Sequence, residues 1–170
     1  MKIFIGADHR GFSLKEEIKS YLLSKGHNVV DVGAFELNLD DDCTEFALLV
    51  ANEVAKDINE NRGILICGSG MGMDVVANKV KGIRATVAYS KSSAQHARSN
   101  DNISIISLAG DVLKNREAEE ITTKEKSWPE NSREAPGCGR SPAPNKTPHL
   151  DGKPNTASPS GHAAPPGKTG

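Results

Sequence analysis

Residues 63–73 read Gly-Ile-Leu-Ile-Cys-Gly-Ser-Gly-Met-Gly-Met, an apolar run that ends at Cys67 and passes into a glycine-rich turn. An uninterrupted apolar run of this length is typical of a strand that is buried on both faces, as in a parallel sheet. The residues that follow, 71–80, have the spacing of an amphipathic helix. This stretch therefore predicts a strand, a tight turn and a helix, with Cys67 at the carboxyl end of the strand.

The same alternation of strand and helix continues in both directions from this stretch. Strands are predicted in KIFIGAD (2–8), NVVDVG (28–33), GILICG (63–68), RATVAYS (84–90) and ISIISLAG (103–110). Helices are predicted in LKEEIKSYLLSKG (14–26), TEFALLVANEVAKDI (44–58), MGMDVVANKV (71–80), SSAQHARS (92–99) and DVLKNREAEEI (111–121). Apolar strands that alternate with helices predict an α/β fold, a doubly wound parallel five-stranded sheet in a three-layer α/β/α sandwich.

The ends of the first helix carry local signals. Ser13 with Glu16 three residues later has the pattern of a capping box, in which two side chains bond the first backbone amides. Gly26 has the position of a glycine that ends a helix. We therefore expect the first helix to begin after Ser13 and to end at Gly26.

Composition and charge exclude several classes of protein. The 21 basic and 22 acidic side chains nearly cancel, so no overall field favours nucleic acid or an anionic membrane. No apolar run is long enough to span a membrane, and the start MKIFIGADHRG lacks the apolar stretch of a secretory signal. The odd number of widely spaced cysteines suits neither a disulfide framework nor a zinc site. We expect a cytoplasmic protein with reduced thiols, no metal and no cofactor.

The chain changes character near Ser127. All nine prolines lie between Pro129 and Pro166, and large apolar residues become rare. A segment with so little apolar surface to bury does not offset the entropy lost on ordering. We expect a domain over 1–126 and a disordered tail over 127–170, with a polyproline docking segment as the alternative function of that tail.

Cys67 and the turn after it form the first candidate site. The sulfur is expected at a strand end beside a helix N-terminus, where the helix dipole favours the thiolate, so Cys67 is suited to act as a base or nucleophile. The amides of the turn are suited to bind an anion or a developing oxyanion. A buried structural cysteine and a plain connecting turn are the alternatives. The turn matches no dinucleotide fingerprint or P-loop, and no C-x₅-R or C-x-x-C pattern surrounds Cys67.

Asp8 and His9 form the second candidate site. Both follow the first strand, and in doubly wound sheets ligands bind outside the carboxyl ends of the strands. A carboxylate and an imidazole there are suited to move protons on a hydroxylated substrate. The alternative is that Asp8 caps a loop or helix and His9 is a surface residue.

These motifs together resemble the ribose-5-phosphate isomerase B family, which also contains the galactose-6-phosphate isomerase subunits. The resemblance is carried by ADHRGFSLKEEIKSYL (7–22), GILICGSGMGM (63–73) and ANKVKGIRATVAYS (77–90), in the family's order and spacing. It covers residues 1 to about 121. It implies a Rossmann-like fold, a homodimer or dimer of dimers with active sites at the subunit interface, no metal, and aldose–ketose isomerisation of a sugar phosphate through an enediol in the pentose phosphate pathway.

The resemblance also implies residue roles. Cys67 matches the cysteine that moves a proton between C2 and C1, Ser69 matches a substrate-contacting Thr or Ser, and residues 68–72 match the loop that stabilises the enediolate. Asp8 and His9 match the pair that binds the sugar and, for the histidine, the phosphate end. The expected catalytic residues are thus Cys67, Ser69 and Asp8, and the expected substrate-binding residues are His9, Arg10, Gly68, Gly70, Met71, Gly72 and Asn100.

The chain departs from the family pattern at three places. Asn100 occupies the position of a histidine associated with opening of the furanose ring, and His96 one helical turn earlier is the alternative for that role. Asp42-Cys43-Thr44 stands near the family's Asp-Tyr-Pro. After Ile121 the family's closing G-R-H-x-x-R segment, which supplies phosphate-binding arginines, has no counterpart.

Two functions therefore follow from the sequence. The first is an isomerase that interconverts ribose 5-phosphate and ribulose 5-phosphate, or an allose or galactose 6-phosphate isomerase. The second is a catalytically impaired relative that binds sugar phosphates without turnover, which the departures at Asn100 and in the closing segment would favour.

We expect removal of residues 127–170 to change the free energy of unfolding by less than about 1 kcal/mol, because that segment has almost no apolar surface to bury. Limited proteolysis followed by urea denaturation of the trimmed chain measures this change. A tail that resists cleavage, or a trimmed chain that no longer folds, would contradict the boundary at residue 126.

Overall fold

The structure is a computed structural model that describes residues 1–123. Its strands are β1 Lys2–Ala7, β2 Val29–Asp31, β3 Asn61–Cys67, β4 Ala85–Val87 and β5 Ile105–Ala109. Its helices are α1 Phe12–Ser24, α2 Cys43–Ala55, α3 Met71–Ala77, α4 Lys91–Asp101 and α5 Asn115–Thr122. The tail predicted over 127–170 lies outside the described residues, so its disorder stays a prediction.

The five strands form one parallel sheet in the order β2-β1-β3-β5-β4. β3 is central, pairs with β1 and β5, and is buried along its whole length. Its apolar sequence suits this position, because helices cover both faces of the sheet. The predicted five-stranded parallel sheet is thus confirmed, with β5 inserted between β3 and β4.

The core lies in two layers, one on each side of the sheet. Apolar side chains of α1, α4 and α5 pack on one face. Those of α2 and α3 pack on the other face. This arrangement confirms the doubly wound, three-layer sandwich.

The start of α1 differs from the prediction. Gly11 is the N-cap and no side chain caps the helix, whereas the sequence predicted a capping box of Ser13 and Glu16. Asp8 takes over part of that role, since its Oδ1 accepts the amides of Arg10 and Gly11 at 3.0 Å each. Glu16 instead pairs with lysines of its own helix.

The end of α1 agrees with the sequence-based prediction, whereas the start of α5 differs from it. Gly26 ends α1 as expected, since its N–H bonds the carbonyl of Leu23 at 3.0 Å and the N–H of His27 bonds that of Leu22 at 3.0 Å. α5 begins at Asn115 rather than near Asp111. Residues 110–114 form a turn that lies against the end of β3.

A buried ion pair joins α1 to the end of β2. The side chain of Lys15 is fully buried, and its Nζ lies 2.9 and 2.8 Å from the carboxylate oxygens of Asp31 and 2.6 Å from the carbonyl oxygen of Ala34. Burial by itself raises the pKa of Asp31, but hydrogen bonds from Lys15 and Lys19 outweigh it and the pKa is lowered. The pair fixes the start of the loop that joins β2 to α2.

Among the described glycines, Gly11 leaves the least space for a side chain, because its backbone lies against β3. A Cβ on Gly11 would lie 2.2 Å from the carbonyl oxygen of Ile66. That distance is far below any real contact, so only glycine allows the turn after β1 to reach the end of β3.

We expect Gly11→Ala to lower the free energy of unfolding by about 3 kcal/mol or more, because the clash is with backbone that cannot move aside. Gly72→Ala is the matched control. Among residues 1–123, its Cβ would meet only the sulfur of Cys43, at 3.5 Å, and alanine is the better helix former inside α3. Urea denaturation of both variants tests the contrast, and equal effects of the two substitutions would contradict it.

Candidate active site

Three turns meet at the carboxyl edge of the sheet, because β1, β3 and β5 are neighbours there. The N–H of Gly110 bonds the carbonyl of Cys67 at 2.8 Å, and the N–H of Asp111 bonds that of Gly68 at 3.1 Å. The N–H of Asp8 bonds the carbonyl of Ile66 at 3.2 Å. The chain thus brings residues 8–11, 67–72 and 110–111 together.

Cys67 is 4% exposed and lies at the end of β3. The backbone N–H of Gly70 donates to its sulfur, with 3.2 Å between the two atoms. Gly70 has a φ of +76°, and its carbonyl accepts the hydroxyl of Ser107 at 2.6 Å. The left-handed turn at Gly70 therefore directs an amide at the sulfur, where it stabilises negative charge.

The rest of the glycine-rich turn is partly used by the chain itself. The N–H of Met71 donates to the hydroxyl of Ser69 at 3.3 Å. Ser69, Met71 and Gly72 are exposed, whereas Gly68 and Gly70 are buried. Of the amides expected to hold an oxyanion, those of Gly70 and Met71 thus already have intramolecular acceptors.

Asp8 is 6% exposed, and one of its oxygens holds the turn before α1. Burial raises the pKa of its carboxyl above the ordinary value, although the amides of Gly11 and Arg10 act in the opposite direction. The capping role that the sequence left open is therefore present in the structure.

His9 is bound to a carboxylate that the sequence did not single out. Its Nδ1 lies 2.7 Å from Oδ1 of Asp41, and its backbone N–H donates to the same oxygen at 3.0 Å. Asp41 lies among three consecutive aspartates of a polar loop, which gave no signal of a contact 32 residues away. When neutral, an imidazole that donates from Nδ1 to a carboxylate presents Nε2 as an acceptor.

Arg10 extends over the turn after β3. A Cβ on Gly68 would lie 2.6 Å from Cζ and Nε of Arg10 and 2.8 Å from Oδ2 of Asp111. The guanidinium of Arg10 and the carboxylate of Asp111 form an ion pair. Asp111 was not predicted as a site residue, because the sequence did not show that β5 lies beside β3.

Cys43 lies beside the same turn, at the start of α2. Burial raises the pKa of its thiol, and the negative groups of Cys67, Asp8, Asp42 and Asp41 raise it further. A thiol with a raised pKa is a poorer base and nucleophile near neutral pH.

Asn100 and His96 lie on the exposed face of α4, and the side-chain nitrogen of Asn100 is 2.9 Å from Nδ1 of His96. α4 runs from the carboxyl edge towards the amino edge of the sheet, where the carbonyl of Asp101 accepts Nε of Arg84 at 2.5 Å. Asn100 in the last turn of α4 is therefore at the edge opposite Cys67 of the same chain.

Within residues 1–123, no group of three or more His, Cys, Asp or Glu side chains is arranged to hold a metal ion. A cavity of about 350 Å³ adjoins the partner of His9. It is lined by Ala34, Phe35, Glu36, Asn38, Asp41 and Phe46.

Comparison with known proteins gives consistent matches. The ribose/galactose isomerase family model matches residues 3–134. The probable ribose-5-phosphate isomerase B of Mycoplasma genitalium is 44% identical over 107 residues, which are 63% of this chain and 70% of that protein. The D-erythrulose-4-phosphate isomerase of Pectobacterium atrosepticum is 40% identical over 121 residues, which are 71% of this chain and 79% of that protein.

The fold has a solved counterpart. The crystal structure of ribose-5-phosphate isomerase B from Mycoplasma genitalium, with bound ribulose 5-phosphate, superposes with a TM-score of 0.72 at 38% sequence identity. The superposition covers 78% of this chain and 88% of that chain.

We expect Asp8→Asn to keep or raise the free energy of unfolding at pH 7, because Asn still accepts both amides and carries no buried charge. Since the folded pKa of Asp8 is raised, the wild type loses stability as the pH rises from about 4 through that pKa. Any gain in the Asn variant should therefore vanish below about pH 4. Asp8→Ala should lose about 1–2 kcal/mol near pH 4, because both amides lose their acceptor. The loss should be smaller at pH 7, where the wild type bears the cost of the buried charge and the Ala variant does not. Urea denaturation from pH 3.5 to 8 measures these changes, and an Asn variant as unstable as the Ala variant would contradict the expectation.

Proposed function

The chain belongs to the ribose/galactose isomerase family, and from this membership we infer that it is an aldose–ketose isomerase that interconverts ribose 5-phosphate and ribulose 5-phosphate. The observation that carries the inference is the placement of Cys67. Its sulfur receives an amide hydrogen bond at the end of β3, beside Asp8, His9 and Arg10 on the next turn. A relative at 38% identity binds ribulose 5-phosphate in its crystal structure.

The chemical step needs one group that accepts and returns a proton. The thiolate of Cys67 removes the proton from C2 of the open-chain aldose, and the C–H electrons form a double bond between C1 and C2. The carbonyl oxygen at C1 becomes the enediolate oxygen. After a proton moves between the two oxygens, the Cys67 thiol returns its proton to C1 and the ketose forms.

The residues around the sulfur stabilise the charges of this step. The amide of Gly70 holds negative charge on the sulfur before the proton is taken. The amides of Ser69 and Gly72 are then the donors for the enediolate oxygen, since that of Met71 is used by the Ser69 hydroxyl. Ser69, exposed on this turn, donates its hydroxyl to the substrate.

Asp8 and His9 bind the sugar in this proposal. Asp8 keeps one oxygen on the turn, so its contribution to catalysis is made with the other oxygen. His9, held by Asp41 through Nδ1, presents Nε2 to a sugar hydroxyl. Arg10, Gly68, Gly72 and the exposed side chain of Met71 complete the substrate contacts, while Gly70 contributes through the amide that it directs at the sulfur.

We propose a homodimer as the working form. Leu48 and Leu49 on α2 and Met71 and Val75 on α3 are exposed apolar side chains on the same side of the sheet. A second copy that covers them would remove this apolar surface from water. Asn100, at the far edge of its own chain, acts on a substrate only if it belongs to a neighbouring copy.

We place the enzyme in the cytoplasm, where thiols that form no disulfide, such as those of Cys43 and Cys67 within residues 1–123, are common. Neither nucleic acid nor membrane is proposed as a partner, because the basic and acidic side chains nearly cancel. No helix within residues 1–123 is long and apolar enough to cross a bilayer.

A second candidate substrate is a four-carbon sugar phosphate. The Pectobacterium atrosepticum relative is named D-erythrulose-4-phosphate isomerase. It matches this chain over 121 residues, whereas the Mycoplasma genitalium relative matches it over 107 residues. Assays with D-erythrulose 4-phosphate and with ribose 5-phosphate at equal concentration decide between the two substrates.

We expect Cys67→Ala to lower kcat for ribose 5-phosphate by about 10²–10⁴-fold, because no other group takes the C2 proton. Cys43→Ser is the matched control, since it removes a nearby thiol that has no role in the proposed step. It should stay within about threefold of the wild type. A coupled spectrophotometric assay measures the rate of ketose formation. A Cys67→Ala chain that keeps half of the activity would disprove Cys67 as the base.

A further inference from the structure

The ion pair between Arg10 and Asp111 lies against Gly68, the residue that follows the proposed base Cys67. Both side chains crowd the space above Gly68, within 3 Å of where a Cβ would stand. Asp111 is fixed there because its N–H bonds the carbonyl of Gly68 at 3.1 Å. The mechanism above uses neither this carboxylate nor the contact between the two charges.

The charges at this edge are unusual for a site that takes a sugar phosphate. Among the described residues that meet there, Asp8, Asp41 and Asp111 are carboxylates, and Arg10 is a cation already paired with one of them. A phosphate dianion that enters this edge meets a guanidinium whose charge is compensated. Asp111 thus opposes the binding of the anionic end of the substrate.

We propose that Asp111 is a specificity-determining residue: its carboxylate occupies the anion-binding side of Arg10, and the phosphate of the substrate must displace it. The proposal rests on the proposed isomerase function and adds the residue that sets affinity for the anionic end. It predicts that Asp111 weakens the binding of phosphorylated sugars and leaves uncharged sugars unaffected.

The exposure of the pair makes this exchange possible. The side chain of Arg10 is 57% exposed and that of Asp111 is 42% exposed, so water and solutes reach both. An exposed ion pair is held weakly. A phosphate offers the guanidinium the same two-oxygen contact as a carboxylate and carries more charge, so it competes for the same nitrogen atoms.

The test removes the carboxylate and measures binding and turnover separately. Asp111→Asn, Asp111→Ser, Arg10→Gln and the double variant Arg10→Gln/Asp111→Asn are compared in the full chain. Glu120→Gln is the matched control, because Glu120 is an exposed carboxylate paired with Arg116 on α5 and its loss changes the net charge equally. Calorimetry gives Kd for ribose 5-phosphate and for inorganic phosphate, and kinetics give KM and kcat.

We expect Asp111→Asn and Asp111→Ser to lower Kd and KM for ribose 5-phosphate by about three- to fivefold at low salt, with kcat within twofold of the wild type. The gain should shrink in about 0.5 M salt, which screens the charges. Glu120→Gln should change nothing. Arg10→Gln should raise Kd, and the double variant should behave as Arg10→Gln does, because Asp111 acts through Arg10.

Two results would overturn the proposal. Unchanged or weaker binding of phosphate ligands in both Asp111 variants, with an unchanged melting temperature, would show that the pair only ties two turns together. Equal gains in Glu120→Gln would show a general charge effect. If Asp111→Asn tightens binding but no variant turns over ribose 5-phosphate, the proposal stands and the proposed function fails.

Discussion

The contact between Gly11 and the carbonyl of Ile66 is the constraint on which the site depends. It allows the turn after β1 to lie directly on the last residues of β3. Gly110 extends the same junction, since a Cβ on it would lie 2.9 Å from the carbonyl oxygen of Arg10 and 3.4 Å from that of Cys67. Three backbone turns therefore touch with no side chain between them, and this brings the side chains of Asp8, His9 and Arg10 to the edge that holds Cys67.

The close packing of these turns places negative groups near one another, and local contacts compensate for them. Asp8 is buried, and two amides share the charge of one of its oxygens. Asp41 is held by both the ring and the amide of His9, while its Oδ2 is buried and has no hydrogen-bond partner within the described part of the chain. Desolvated carboxylates of this kind cost free energy, so the arrangement favours a function that needs charges at fixed places.

The sequence predicted the elements and the edge at which the site lies, because these depend on local patterns. The apolar run of β3 and the glycines after Cys67 marked a strand buried on both faces and the position of the proposed base. The strand order could not be read from the same patterns, because the crossover from β3 to β4 leaves space for β5 and no local signal records it. For that reason Asp111, which follows β5, was missed. Asp41 was missed because its contact with His9 is equally non-local.

The loop between β2 and α2 is held at its start by the buried ion pair between Lys15 of α1 and Asp31 of β2. Lys15 binds both Asp31 and the carbonyl of Ala34, and its Nζ lies 5.9 Å from the ring centre of Phe35. Since the loop that begins there ends near Asp41, the orientation of His9 depends on a lysine that is fully buried and touches no substrate. A buried charge is tolerated at this point because it has four oxygen partners, two from Asp31, one from Ala34 and one from Glu16. The same helix therefore contributes to the site twice, through the turn that precedes it and through the loop that its lysine holds.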